Sequence, residues 1–287
     1  AAALKRMPAP AMSASGLPTG PLLTVEGLRV AFPSPGGELL ALDGVDLSLG
    51  PGEVLGLVGE SGAGKSLTGA ALSGLVPPPG RVLAGRASVA GERIDMRDTG
   101  RMAKLRGRVV SSIFQDPLAA LDPLQRIGSQ LVETIRHVRG LAQRPARALA
   151  VELLDATGLP DPQELMDRYP HQLSGGMRQR VVLALAMAPA PRILVADEPT
   201  TALDVLTQAR ILSLLRGFVD QKGLAILLVS HDIGAISMVA DRIAVLHAGR
   251  IVETGPTADL MRTPTHPCTR RLVASVPRIR GREVARP

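Results

Sequence analysis

The sequence is poor in cysteine and in aromatic residues, and each shortage excludes a class of protein. One cysteine, Cys268, stands in 287 residues, so the chain carries no disulfide framework, thiolate metal cage or iron–sulfur cluster. Aromatic residues make up 1% of the chain and tryptophan is missing, so stacking platforms for nucleic-acid bases are nearly absent. Although the net charge is +7, we therefore expect no nucleic-acid partner.

Long apolar runs are also missing. The most apolar region, residues 181–195, is interrupted by Pro189, Pro191 and Arg192, and it falls short of the ~18 apolar residues of a membrane-spanning helix. Residues 1–20 contain a basic pair but not the apolar block of a signal peptide, so we interpret them as a disordered lead-in. With 45% hydrophobic and 21% charged residues, the chain as a whole has the composition of a globular protein.

The hydrophobic pattern changes character along the chain and predicts an α/β fold. Residues 22–58 are rich in short apolar or alternating runs, which predict strands. Residues 118–188 carry helical periodicity, and from residue 193 to residue 246 strands alternate with helices. Such alternation is typical of a mostly parallel sheet covered on both faces. The helical middle then predicts an insertion, and residues 264–287 predict an appendage.

A glycine-rich run between a predicted strand and a predicted helix matches the pattern G-x-x-x-x-G-K-[ST]. It consists of Gly59, Glu60, Ser61, Gly62, Ala63, Gly64, Lys65 and Ser66. Glycines let successive backbone N–H groups face a phosphate chain, and the following helix adds its positive end. Lys65 would reach the terminal phosphates and the Ser66 hydroxyl would bind Mg²⁺. We therefore predict a nucleotide site that extends to Leu67, rather than a chance match in a glycine-rich turn.

Two adjacent carboxylates follow the apolar strand predicted at residues 193–196. In a nucleotide site, Asp197 would hold Mg²⁺ and Glu198 would orient and deprotonate the attacking water. The alternative is an acidic pair that caps the next helix. The phosphate-binding loop at 59–66 favours the catalytic interpretation.

A second glycine-rich helix start lies 23 residues before Asp197. The run at residues 173–180, L-S-G-G-M-R-Q-R, puts Ser174 at or near an N-cap, followed by Gly175 and Gly176. This run resembles the signature motif of ATP-binding cassette (ABC) ATPases, and the rest of the chain agrees in order and spacing. The resemblance extends over about residues 22–276.

Four further residues resemble family motifs. Gln115 matches the glutamine of the Q-loop, and Asp204 matches the aspartate of the D-loop in the run 201–204. His231 matches the switch histidine. Phe32 lies where family members have an aromatic residue that packs against adenine. The resemblance makes Gln115 and His231 catalytic, Gln115 also a metal ligand, and Asp204 a nucleotide contact. Each has a plainer alternative: a strand exit for Gln115, a helix N-cap for Asp204, a surface or capping role for His231 and core packing for Phe32.

The resemblance implies a P-loop NTPase (RecA-like) core with a parallel sheet, an antiparallel β subdomain and a helical subdomain inserted at about residues 117–188. The nucleotide-binding domain would cover residues 21–263. Its substrate would be ATP with Mg²⁺, enclosed between the P-loop of one cassette and the signature motif of another. Partners would be two transmembrane permease subunits, a second ABC ATPase (a different chain or a second copy) and an extracytoplasmic solute-binding protein. The chain would lie on the cytoplasmic face of the inner membrane.

Three shorter runs are similar to those of dipeptide, oligopeptide and nickel importer ATPases. They lie at residues 114–123, 169–172 and 265–270, with Cys268 in place of the usual tyrosine. The cysteine cluster that many peptide-importing relatives carry near the carboxyl terminus is absent. Peptide uptake is our expectation, and uptake of nickel or a metal chelate is the alternative. The late arginines of 278–286 would contact anionic lipid or remain solvated.

Other functions of the same motifs are less consistent with the chain. ABC ATPases of translation resemble two cassettes in one chain, and those of DNA repair carry long coiled coils or zinc-binding cysteines. This chain has one P-loop and one cysteine. A P-loop kinase or GTPase would leave the run at 173–180 and the helical insertion unexplained.

Overall fold

The computed structural model describes residues 20–117, 119–201 and 203–276. The lead-in predicted at 1–20 lies almost wholly outside the described residues, and so do the late arginines. The strands are β1 (Leu23–Ser34), β2 (Gly37–Leu49), β3 (Val54–Val58), β4 (Arg81–Val89), β5 (Glu92–Asp95), β6 (Val110–Ile113), β7 (Ile193–Asp197), β8 (Ala225–Ser230), β9 (Arg242–His247) and β10 (Arg250–Pro256). The helices are α1 (Lys65–Leu72), α2 (Thr99–Leu105), α3 (Ile127–Arg139), α4 (Gln143–Ala156), α5 (Pro162–Leu165), α6 (Gly175–Met187), α7 (Val205–Lys222), α8 (Ile233–Ser237), α9 (Thr257–Arg262) and α10 (Pro267–Ala274).

Two sheets carry these strands. One has the order β2-β1-β4-β5 and is antiparallel throughout. The other has the order β10-β9-β3-β8-β7-β6, in which all neighbours are parallel except β9 and β10. The expected fold class, a parallel-sheet core with an antiparallel β part and a helical insertion, is confirmed.

The six-stranded sheet separates two hydrophobic cores. Successive side chains of a strand point to opposite faces, and β7 shows the consequence. Leu194 and Ala196 pack with the helices of the inserted segment, whereas Ile193 and Val195 pack with the antiparallel sheet. Both faces are therefore covered, which explains why β3 and β7 consist entirely of buried residues.

The helical insertion lies between β6 and β7 and contains α3 to α6. Helix α4 packs against α3 and α6 through an apolar stripe that includes Leu149, Ala150 and Leu153. Gly140 ends α3 in the left-handed conformation, which glycine adopts without steric cost. The insertion thus presents α6, which begins with the signature motif, beside the sheet.

The run Arg86–Ile94 has the alternating apolar pattern of a single strand, but it forms a hairpin between β4 and β5. Ala90 and Gly91 form its two-residue turn, with φ of +52° and +90°. Positive φ at both central residues matches the right-handed twist of the flanking strands. Here the apolar alternation hid a turn because the first turn residue is alanine.

The segment from Thr265 to residue 276 packs onto the core instead of extending from it. Cys268 and Val273 of α10 are buried in the core cluster on the helical side of the sheet. The carboxylate of Glu253 on β10 accepts hydrogen bonds from the Thr265 N–H and hydroxyl and from the His266 N–H, at 2.8–2.9 Å. These bonds fix the entry to α10.

Candidate functional site

The glycine-rich loop connects buried β3 to α1, and two of its glycines leave no room for a side chain. A Cβ at Gly59 would lie 2.1 Å from the Leu246 carbonyl oxygen. Gly64 has φ +102°, and its Cβ would lie 2.5 Å from Cδ2 of Leu42. The backbone therefore approaches its neighbours as closely as glycine permits, and a loop of this shape can turn successive N–H groups toward an anion.

Lys65, the first residue of α1, folds back over the loop. Its Nζ donates hydrogen bonds to the carbonyl oxygens of Gly59 at 2.9 Å and Glu60 at 3.0 Å. Burial lowers the pKa of Lys65, while the carboxylates of Glu198 and Asp197 act in the opposite direction. The ammonium group is thus held at the mouth of the loop, where phosphate oxygens would meet it.

Ser66 and Asp197 meet beside the loop, although they are 131 residues apart in sequence. The Ser66 hydroxyl donates to Oδ1 of Asp197 at 3.0 Å. Burial raises the pKa of Asp197, and the bond from Ser66 opposes that rise. A hydroxyl and a carboxylate are hard oxygen ligands of the kind that Mg²⁺ takes alongside substrate phosphates and water.

The described residues contain no group of three or more His, Cys, Asp or Glu side chains that could hold a metal ion. Ser66 and Asp197 supply two oxygens and leave the remaining positions to phosphate and water. This donor set fits a Mg²⁺ ion that binds with its nucleotide.

Glu198, which follows β7, accepts hydrogen bonds from three side chains that come from separate segments. Thr201 Oγ1 lies 2.7 Å and Gln115 Nε2 3.3 Å from Oε2, and His231 Nδ1 lies 3.1 Å from Oε1. Glu198 has φ +46°, an unusual value for a residue other than glycine. Strained backbone of this kind clusters at functional sites, and here it places the carboxylate among its three partners.

The pKa of Glu198 is lowered by this environment. Burial acts to raise it, but the hydrogen bonds from Thr201 and His231 together with nearby positive charge outweigh burial. Glu198 is therefore an ionised carboxylate at neutral pH. Sequence reasoning missed Thr201 as a partner; the available signal was its place in the D-loop-like run, where serine is usual.

The P-loop, Gln115, Glu198, Thr201 and His231 surround one cleft of about 760 Å³. Its lining consists of Leu39, Leu40, Ala41, Ser61, Gly62, Gly64, Lys65, Ser66, Leu67, Gln115, Glu198, Thr201, His231, Ala248 and Gly249. The cleft thus joins the loop, Gln115, Glu198 and His231, as the motifs predict.

Phe32 lies outside the lining of this cleft. Its ring packs against Gly80, where a Cβ would lie 2.6 Å from two ring carbons. Its cross-strand neighbour Leu39 and the next residue, Leu40, are exposed and line the cleft instead. An adenine contact through Phe32 stays a prediction.

Within the signature run, Ser174 and Gly175 are exposed, and the run lies outside the lining of the cleft. Ser174 caps α6 by accepting from the Met177 N–H at 3.3 Å. Gly175 and Gly176 form the first turn, whose N–H groups make a second anion-binding helix end. Residues 174–176 are not part of the cleft lining, so within one chain the two helix ends do not share this cleft.

Asp204 caps α7 next to the signature helix. Its carboxylate accepts from the Thr207 N–H at 2.9 Å and from the Thr207 hydroxyl at 2.7 Å. A Cβ at Gly176 would lie 2.7 Å from Cγ2 of the same threonine. Asp204 therefore has the N-cap role that the sequence also allowed, and its nucleotide contact stays a prediction.

Within residues 20–276, the described helices are all too short or too polar to cross a membrane.

Comparison with known proteins identifies relatives over most of the chain. Residues 42–201 match the family model described as ABC transporter. The chain is 46% identical over 261 residues to a peptide import ATP-binding protein of Brucella abortus, covering 91% of this chain and 79% of that protein. It is 43% identical over 257 residues to the oligopeptide transport ATP-binding protein OppD of Bacillus subtilis, covering 89% and 72%.

Solved structures agree with the sequence relatives. An ATP-binding cassette, solved as a dimer in a post-hydrolysis state with ADP and phosphate, superposes with a TM-score of 0.72 at 27% identity. That match covers 82% of this chain and 98% of the cassette. The structure of cbiO1 from Clostridium perfringens, part of the ABC transporter complex cbiONQ, superposes with a TM-score of 0.70 at 25% identity, covering 85% and 91%.

Proposed function

The chain belongs to the ABC transporter family, and from this premise we propose that it is the ATP-hydrolysing subunit of an importer for di- and oligopeptides. The observation that carries the proposal is the hydrogen-bonded cluster around Glu198, set beside a P-loop. Relatives at 46% and 43% identity are named for peptide import and oligopeptide transport, which favours peptides over nickel or a metal chelate. The same names favour transport over a non-transport ATPase.

The P-loop, residues 59–66, would hold the triphosphate of ATP, with Leu67 at its edge. Its backbone N–H groups and the amino end of α1 supply positive potential without a counter-ion. The Lys65 ammonium, now bonded to two loop carbonyls, would exchange them for phosphate oxygens. This assignment gives a function to a buried lysine that lies near the carboxylates of Glu198 and Asp197.

Ser66 and Asp197 would hold Mg²⁺, with the Gln115 side chain as a further ligand. When bound, the ion neutralises phosphate charge and polarises the phosphoryl oxygens. The Ser66–Asp197 hydrogen bond already places the two oxygens together. Gln115 lies at the same cleft, where its amide nitrogen donates to Glu198 and leaves the amide oxygen available.

Glu198 would act as general base in hydrolysis. Its ionised carboxylate accepts a proton from a water molecule whose oxygen attacks the γ-phosphorus, and ADP departs. His231 and Thr201 hold the carboxylate in place through the bonds described above. The lowered pKa keeps this base ionised at neutral pH.

The signature motif would act on ATP bound by another cassette. Residues 174–176 lie outside the P-loop cleft, so a second anion-binding helix end has no phosphate to bind within the same chain. A head-to-tail pair would bring it, together with Asp204, against the nucleotide of the partner. We favour a partner cassette of different sequence over a second copy of this chain.

Two transmembrane permease subunits would form the pore, and an extracytoplasmic solute-binding protein would select the peptide. The chain would bind peripherally to the cytoplasmic face of the inner membrane through these subunits. Within this assembly, residues 21–263 would be the nucleotide-binding domain, and the residues from 264 onward would form a carboxyl-terminal segment packed against it.

Affinity purification from gently solubilised native membranes tests the assignment. We expect two multi-spanning proteins, a second cassette ATPase and a solute-binding protein, which is then screened with peptides and nickel chelates. A tagged Lys65→Ala chain, in which ATP binding is impaired and the fold retained, is the matched control for assembly. Recovery only from the soluble fraction, with ribosomes or DNA, would contradict the transport function while leaving the ATPase chemistry intact.

A further inference from the structure

Helix α10 contacts the P-loop through a side-chain ion pair. Nη2 of Arg271 donates to Oε1 of Glu60 at 3.0 Å, although the two residues are 211 positions apart. Glu60 is the second residue of the P-loop, and its backbone carbonyl accepts from the Lys65 ammonium at 3.0 Å. One residue of the loop is therefore bonded both to the carboxyl-terminal segment and to the phosphate-binding lysine.

The segment that carries Arg271 is fixed to the core on both sides of its contact. The Glu253 carboxylate holds the entry to α10 through Thr265 and His266. The side chain of Cys268, three residues before Arg271, is buried. Because these anchors immobilise the helix, Arg271 is presented to the loop without the full entropy cost of ordering a free tail.

A carboxylate in a loop that binds a triphosphate is electrostatically unfavourable. The Glu60 side chain is about half exposed, and an unpaired negative charge there would repel a bound nucleotide. His247 Nδ1 lies 3.9 Å from Oε2 of Glu60, and Arg271 is the nearer of the two basic side chains.

We propose that Arg271 is a positioning residue of the nucleotide site, which pairs Glu60 and thereby strengthens binding of the ATP triphosphate. The inference rests on the proposed P-loop function and assigns a role in it to the carboxyl-terminal segment. Since Arg271 and Glu60 are both partly exposed, water screens the pair and the effect is moderate. Its loss weakens ATP binding by about threefold to fivefold.

The test compares Arg271→Gln with Arg270→Gln in the full chain. Arg270 lies on the same helix and donates to the Pro264 carbonyl, so its replacement removes the same charge without touching the loop. ATP binding is measured by calorimetry at low and high salt, with KM and kcat for hydrolysis alongside. Arg271→Lys, Glu60→Gln and the double variant Glu60→Gln/Arg271→Gln complete the set.

We expect Arg271→Gln to raise the Kd and the KM for ATP together, to leave kcat within about twofold, and to lose its effect at high salt. Arg271→Lys should retain part of the ATP affinity that Arg271→Gln loses. When Glu60 is already glutamine, Arg271→Gln should cause no further loss of affinity. Two results would overturn this inference and leave the proposed function intact. One is an equal loss of ATP affinity in Arg270→Gln and Arg271→Gln. The other is an undiminished loss of affinity when Arg271→Gln is made in the Glu60→Gln background. Absence of ATP binding by the unaltered chain would overturn the proposed function and this inference with it.

Discussion

The hydroxyl of Ser66 donates to Oδ1 of Asp197 at 3.0 Å and so links the end of the P-loop to the end of β7. The two parallel strands that lead to these residues, β3 and β7, are separated in the sheet only by β8. Carboxyl ends of parallel strands meet at one edge of the sheet, which is where such folds bind ligands. The proposed metal site is a direct product of this strand order.

Replacement of Asp197 by asparagine tests the metal site. Loss of a charged ligand should lower Mg²⁺-dependent hydrolysis by about 100-fold or more, because several kcal/mol of charge stabilisation are lost. Binding of ATP without Mg²⁺ should change little. The measurement is hydrolysis against Mg²⁺ concentration, with Asp220→Asn on the outer surface of α7 as the charge-matched control. An unchanged Mg²⁺ dependence in Asp197→Asn would remove Asp197 from the site.

Thr201→Val should shift the pH dependence of hydrolysis. Burial raises the pKa of Glu198 and the Thr201 hydroxyl lowers it, so removing the hydroxyl moves that pKa upward. The base then takes up a proton at higher pH, and hydrolysis at mildly acidic pH falls relative to hydrolysis at pH 8. Single-turnover pH profiles measure this shift. Thr201→Ser keeps the hydroxyl and should have the same pH profile as the unaltered chain. If Thr201→Val also has that profile, the Thr201 hydroxyl does not set the pKa of Glu198.

The contact between Gly176 and Thr207 allows a rescue experiment. Gly176→Ala places a Cβ 2.7 Å from Cγ2 of Thr207, so the signature helix must shift, and hydrolysis should fall while ATP binding by the P-loop is retained. Thr207→Ser deletes Cγ2 and keeps the hydroxyl that donates a hydrogen bond to Asp204.

The double variant Gly176→Ala/Thr207→Ser should therefore recover part of the ATPase activity. Gly255→Ala, where a Cβ would meet nothing within 4 Å, serves as the control for a glycine replacement. If hydrolysis stays lost in the double variant, the added methyl group acts on the partner nucleotide rather than through Thr207.

Glu253→Gln should destabilise the fold in a pH-dependent manner. Burial acts to raise the pKa of Glu253, but the neighbouring Thr269 side chain and the hydrogen bonds from Thr265 and His266 bring it to about 2, from 4.5. A lowered pKa stabilises the folded state above about pH 4.5, and that contribution is lost as the pH falls toward 2. At pH 7 the variant should lose about 1–2 kcal/mol of unfolding free energy.

Chemical denaturation at pH 7 and at pH 4 measures this difference. The difference in unfolding free energy between Glu253→Gln and the unaltered chain should be smaller at pH 4 than at pH 7. Glu92 is an exposed carboxylate on β5, and Glu92→Gln should leave the unfolding free energy unchanged at both pH values. A gap that is the same at both pH values would mean that the ionised form of Glu253 contributes no stability.

Local patterns were sufficient to predict the main elements of the fold. Continuous apolar runs predicted β3 and β7 because both are buried on two faces, and periodicity predicted α3, α4 and α6. Helix α10 was missed because its eight residues begin with proline and end near a basic stretch, which obscured the few apolar positions. Tertiary anchoring by Glu253 compensates for that weak local signal.

Within the candidate site, sequence motifs identified the residues but not all of their contacts. The P-loop and the acidic pair predicted that Ser66 and Asp197 would meet, since both follow parallel strands. The Thr201–Glu198 bond depends on a positive φ at Glu198, and the Arg271–Glu60 pair depends on the packing of α10. Neither the positive φ at Glu198 nor the packing of α10 has a local sequence signature.

Single-turnover hydrolysis by the Glu198→Gln variant tests whether Glu198 is the general base. The assembly purified from membranes is mixed with Mg²⁺ and labelled ATP, and ATP binding and phosphate release are followed separately. We predict that Glu198→Gln binds ATP as the unaltered chain does, hydrolyses it at least about 100-fold more slowly and stabilises the paired cassettes. Phosphate release at the unaltered rate would show that Glu198 is not the base and that the carboxylate cluster is not the catalytic centre.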